Sequence, residues 1–230
     1  MESGSLRRYL PGMASDPGLA WTTGVVAFVF AVPLWKFTEY AIVVAHEGGH
    51  ALFAVLFNRG VKAVTVRSNR GGETLFRRDG GWFGILFSFL AGYLGPSIFG
   101  LAGAWMLVHD VAPRSVLLMS LVLMAFLLLM VRNFFGFLAV PFTGLVLWAV
   151  AMHGTAEQQL VFAYVWVWFL LMGGVRQIPK MYRIWTNDKV QDVEVLAGHT
   201  GLSTAFFVAL FWAGSFAALI YGGVLLLEDA

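Results

Sequence analysis

The chain has 230 residues, a formal net charge of +2 and no cysteine; 59% of its residues are hydrophobic and only 12% are charged. That balance excludes an ordinary soluble domain, and a mean hydropathy of +0.77 points to a protein that crosses a membrane several times. Without cysteine there can be no disulfide, thiolate metal ligand or cysteine nucleophile.

The first 18 residues carry Arg7 and Arg8, then Pro11, Asp16 and Pro17, with no small-residue cleavage site, so the first apolar run reads as a retained span. In chain order, spans are expected near residues 19–35, 40–57, 82–108, 115–131, 133–152, 159–171 and 203–227. The sixth is short. One helix over 19–57 would reach about 58 Å, far beyond a bilayer, so Pro33 with Lys36 and Glu39 is taken to end the first span. After the second span, residues 61–66 (VKAVTV) and 73–76 (ETLF) flank a glycine turn and predict a β-hairpin. The expected fold class is an all-α integral membrane protein with six to seven transmembrane helices and a small cytoplasmic β-hairpin. No linker or low-complexity tract divides it, so residues 1–230 read as a single domain. The lack of an internal repeat argues against a transporter built of duplicated halves.

The cationic residues orient this scheme. With the N-terminus in the cytoplasm, inner segments hold thirteen Lys and Arg, including Arg59, Lys62, Arg67, Arg77, Arg78, Arg132 and Arg176, while outer segments hold only Lys36 and Arg114. The expected location is therefore the cell membrane, multi-pass, with the N-terminus and the hairpin cytoplasmic. The basic hairpin is expected to meet anionic lipid head groups of the bilayer and no nucleic acid.

His46-Glu47-Gly48-Gly49-His50 lies inside the second apolar run. Histidines four apart on a helix share one face and can grip one metal ion, and the adjacent glutamate is placed to act as a general base. Random placement of this chain's histidines and glutamates would yield roughly 0.003 such matches, so chance is a poor explanation. Ionisable groups at membrane depth are costly and are functional candidates by default. The bland reading of the two histidines is hydrogen-bonded glue between helices, which leaves Glu47 unexplained.

A catalytic zinc usually takes three protein ligands, so a third side chain must come from elsewhere. The acidic stretch before the last apolar run offers Asp192, with Asp188 and His199 as rivals that spacing cannot exclude; a solvated loop acid beside Lys189 is the ordinary reading of Asp192. Gly48 and Gly49 either leave room at the metal or serve helix packing. Gly92, Gly95 and Pro96 permit a kink or unwound turn lining a polar cavity in the third span, and packing alone explains them nearly as well. Asn133 reads as a helix cap, or else as an oxyanion donor. His109 and His153 fall at outer helix ends and read as plain interfacial residues.

HEGGHALFAVLFNRG (46–60), the basic hairpin, AGYLGPS (91–97), RNFFG (132–136), QDVEVLA (191–197) and Thr200-Gly201 follow in this order. The sequence resembles the site-2 protease family of intramembrane zinc metallopeptidases, above all its short bacterial branch lacking a PDZ domain. The resemblance covers nearly the whole chain from Ala20. It implies His46, His50 and Asp192 as ligands of Zn2+ and Glu47 as the general base, acting on a membrane protein substrate. The family's aspartate usually stands in an LDG triplet with an upstream Asn-Pro motif, and this chain has neither. The expected function is hydrolysis of a peptide bond within or near a substrate's membrane segment, with the hairpin offering a strand edge for the unwound substrate. The alternative is a catalytically inactive metal-binding scaffold that binds partner proteins. A metal channel or transporter fits less well, because the other spans are almost free of acids.

Overall fold

The computed structural model describes residues 17–69, 71–179 and 192–228; Arg7, Arg8, Asp188 and Lys189 lie outside the described residues. In chain order the elements are α1 (Pro17–Ala31), α2 (Trp35–Leu56), β1 (Val61–Val66), β2 (Gly72–Phe76), α3 (Gly81–Val108), α4 (Pro113–Leu128), α5 (Phe134–His153), α6 (Ala156–Arg176), α7 (Asp192–Thr200) and α8 (Thr204–Glu228).

Local chemistry sets most of the boundaries. Pro33 cannot donate a backbone hydrogen bond, and α1 and α2 meet there at 98°. The freed carbonyls find other donors: Leu34 N–H reaches Val29 O at 3.0 Å, and the Thr38 hydroxyl reaches Phe30 O at 2.8 Å. Lys36 and Glu39 therefore lie inside the first turns of α2 and do not end the helix before it. Pro113 opens α4, and Thr155 with Gln158 forms a capping box on α6.

Among the described residues, four helices, α3, α5, α6 and α8, are long and apolar enough to cross a bilayer, and the bent α1–α2 pair makes a fifth span if it counts as one. This is fewer than the six to seven expected, because α1 and α2 lie nearly at right angles and α4 has only 16 residues. The short sixth span of the sequence reading is a full 21-residue helix, α6, and the most buried of the four. It packs against α1, α3, α4 and α8, with Val167, Leu170 and Leu171 in the main core. Trp21, Phe83, Leu129, Phe142 and Tyr221 stand exposed on the outside. A shell this apolar suits lipid.

The hairpin forms where expected. β1 and β2 pair antiparallel, with Val64 opposite Thr74 and Val66 opposite Gly72. The outer edge of β1 is also taken. Val64 N–H donates to Met130 O, Arg132 N–H donates to Val64 O, both at 2.9 Å, and Val64 forms a parallel bridge with Val131. Asn133 completes that edge: its Nδ2 donates to Val66 O at 2.7 Å and its Oδ1 accepts from Val66 N–H at 3.1 Å. Asn133 stands at the N-cap position of α5 but makes no side-chain cap. Its side chain pairs with both backbone groups of Val66, which ties the start of α5 to β1. Asn133→Leu is expected to free this edge, so amide exchange at Val66 should rise sharply while that within α3 stays slow.

Candidate metal centre

The α-helical repeat of α2 carries His46 and His50 one turn apart on the face turned toward α3. Two glycines let these helices meet. A Cβ on Gly49 would collide with Ala91 O, and one on Gly92 would fall on the His50 ring. Gly49 therefore serves packing, while Gly48 would meet only Leu127, at 4.0 Å. Gly92, Gly95 and Pro96 do not break α3, which runs unbroken for 28 residues; the smallness of Gly92 makes room for the imidazole.

Asp192, the first residue of α7, reaches the same point from the far end of the chain. Its Oδ2 lies 3.1 Å from His50 Nε2 and 3.4 Å from His46 Nε2, and the two Nε2 atoms are 3.1 Å apart. Tetrahedral ligands about 2.0–2.1 Å from one zinc ion stand about 3.3 Å apart, so this triangle has the right edge lengths to share a cation. His46, His50 and Asp192 form the one such cluster among the described residues. Burial raises the Asp192 carboxyl, but the neighbouring His50 and His46 more than offset this and hold it below the usual carboxylate range. His199, the rival, instead places Nε2 3.2 Å from Trp82 O and lies tilted beside the Trp82 ring, 5.8 Å between ring centres.

Each imidazole has an outer partner on Nδ1, as metal-binding histidines ordinarily do. For His50 it is Ser88 O at 2.8 Å, and for His46 it is Gln177 Oε1 at 3.3 Å. The Tyr93 ring meets His46 edge-on at 4.5 Å.

β2 closes the other side. Side-chain alternation turns Gly72, Thr74 and Phe76 toward α2 and leaves Glu73 and Leu75 exposed. The Thr74 hydroxyl donates to Glu47 Oε2 at 2.6 Å, and Gly72 packs directly on the same carboxylate. Phe76 and His50 meet edge-on at 6.3 Å, and the Arg59 guanidinium lies over the Phe76 ring at 3.8 Å. Glu47 is 3% exposed, so the strand covers the acid. Thr74 and Gln177 were not legible as site residues, since neither belongs to a spaced motif.

The sequence model of a family described as Peptidase M50B-like matches residues 19–222. The chain belongs to the peptidase M50B-like family. That match takes in α2, the hairpin and α7, and hence the whole cluster. Among curated proteins and solved structures, none matches this M50B-like chain. Membership marks it as a protein of a metallopeptidase group, and the apolar helices fit a multi-pass membrane location.

Proposed function

We propose that this protein is an intramembrane zinc metalloprotease, with His46, His50 and Asp192 as the metal ligands and Glu47 as the general base. The observation that carries the reading is the triangle of two Nε2 atoms and one Oδ2 at 3.1–3.4 Å, next to a buried carboxylate in the same helical turn. Bound zinc supplies Lewis acidity, polarising the scissile carbonyl and acidifying water. The chain does the rest. Glu47 takes the proton from the attacking water and returns it to the leaving amine. Thr74 fixes Oε2 with its hydroxyl, which leaves Oε1, the oxygen against Gly72, to act as the base.

A helical substrate hides its amides and must be held extended, and β2 supports that role. Thr65–Glu73 and Ala63–Leu75 are the hydrogen-bonded pairs of the ladder, because Val64 and Val66 turn their backbone groups to the 130–133 side. Thr74 and Gly72 therefore point theirs to the free edge, where a substrate strand can add. Thr74→Val keeps this N–H and loses the hydroxyl, and is expected to slow turnover roughly 3- to 10-fold, the value of one hydrogen bond. Thr74→Pro also removes the edge N–H and is expected to raise KM further, measured on a membrane-segment peptide. Equal KM for the two variants would rule out strand addition.

The substrate is a membrane protein. The cationic residues favour a cytoplasmic N-terminus and a cytoplasmic hairpin, and protease protection of tagged termini checks this. The decisive measurement is metal content of the purified full chain. One zinc per chain is expected, and Asp192→Ala should weaken it by more than the roughly 10- to 100-fold caused by loss of an outer partner. A chain with no stoichiometric metal, or with a coordination shell lacking imidazole, would end this reading.

A further inference from the structure

Gln177 stands one residue past α6, at its C-cap, on a helix that contributes no ligand. Its Nε2 donates to Tyr93 O on α3 at 2.8 Å and lies 3.4 Å from Gly174 O, while its Oε1 faces His46 Nδ1 at 3.3 Å. A primary amide has two N–H donors on nitrogen and an acceptor only on oxygen. The two backbone carbonyls can only accept, so they claim the NH2 end. Flipping the amide would aim its oxygen at both of them. The Oε1 atom is thus left for the imidazole, and because oxygen accepts, His46 Nδ1 must carry the hydrogen. The lone pair of the neutral ring then sits on Nε2, the atom that faces His50 and Asp192.

His50 obtains the same tautomer from a main-chain oxygen, Ser88 O, which no substitution of a side chain removes. His46 obtains it from a side chain. We infer that Gln177 is a positioning residue, holding His46 in the Nδ1–H tautomer and ring orientation that ligation requires and tying the end of α6 to the metal centre. This rests on the zinc reading proposed above.

Two variants of the full-length protein separate the hydrogen bond from mere packing. Gln177→Met keeps the side-chain length and loses every hydrogen bond. Gln177→Glu keeps an acceptor toward His46 and loses the donor toward Tyr93 O. Zinc affinity by chelator competition is expected to fall roughly 10- to 100-fold in Gln177→Met, with a changed visible spectrum of the cobalt(II) form. Gln177→Glu should restore most of the affinity and the wild-type cobalt spectrum. Wild-type affinity and spectrum in Gln177→Met, or a Gln177→Glu protein as weak as Gln177→Met, would overturn the inference. Nitrogen NMR of histidine in the metal-free chain tests it apart from metal binding. There His46 should be protonated at Nδ1 in the wild type and mixed in Gln177→Met; a mixed wild type overturns it too. A wild-type chain that binds no metal yet shows the Nδ1–H tautomer would sink the zinc reading and leave the positioning role standing.

Discussion

Glu47→Gln is expected to lower cleavage by roughly 10²- to 10⁴-fold, the usual contribution of a positioned acid–base group, while zinc stays bound at full stoichiometry. The amide is nearly the same size as the carboxylate, so α2, Thr74 and Gly72 keep their places. Its oxygen can still accept the Thr74 hydroxyl bond, which in the native protein is 2.6 Å long. What it loses is basicity. Neither His46 nor His50 can substitute, because each has Nδ1 committed to an outer partner and Nε2 turned into the cluster. Measuring kcat on a membrane-segment peptide beside metal content decides the matter. Retained cleavage would remove Glu47 from the chemistry, and an unchanged biological output without cleavage would favour the scaffold reading.

Gly92→Ala is expected to be as damaging by a different route. The added methyl would fall on the metal-facing side of the His50 ring, with Cδ2 only 2.9 Å away and Nε2 and Cε1 nearer still. The ring cannot retreat. Its Nδ1 is held by Ser88 O at 2.8 Å, and Phe89 and Phe76 stand 5.8 and 6.3 Å from its centre. Nor can α3 move off, since α2 and α3 pack more extensively than any other pair of elements and Gly49 rides directly on Ala91. Overpacking of this kind costs about 1–3 kcal/mol, and here it falls on a ligand, so zinc affinity should drop at least roughly 10- to 100-fold. Gly48→Ala is the control. Its methyl meets only Leu127, and alanine is about 1 kcal/mol better than glycine within a helix, so metal binding should persist. Equal zinc affinity in the two variants would contradict the packing described.

The hairpin shows how far reading the sequence carried. Alternation and a glycine turn placed both strands, because strand pairing across a short turn is local. Which edge stays open was not local. The 130–133 segment covers β1, and Asn133, 67 residues from Val66, finishes the job by a contact that no pattern near either residue announces. Whether Gly92 and Pro96 unwind the helix or serve packing was open for a related reason. A glycine in an apolar helix reads alike whether it loosens the backbone or admits a neighbour's ring, and only the approach of α2 separates the two. The count of six to seven spans is not confirmed, because the elbow at Pro33 makes a 98° turn, an angle that a proline permits without specifying.

The sequence by itself determined a membrane-embedded helical protein, two histidines and an acid on one helical turn, and the hairpin beside them. Helix period and strand alternation are properties of short segments, so composition and spacing suffice. Only the tertiary structure decided that Asp192, 142 residues beyond His50, closes the triangle, that Gln177 orients His46, and that Thr74 holds Glu47. Those contacts come from how α3, α6 and α7 pack around α2, and a few ångströms of helix placement would choose different partners.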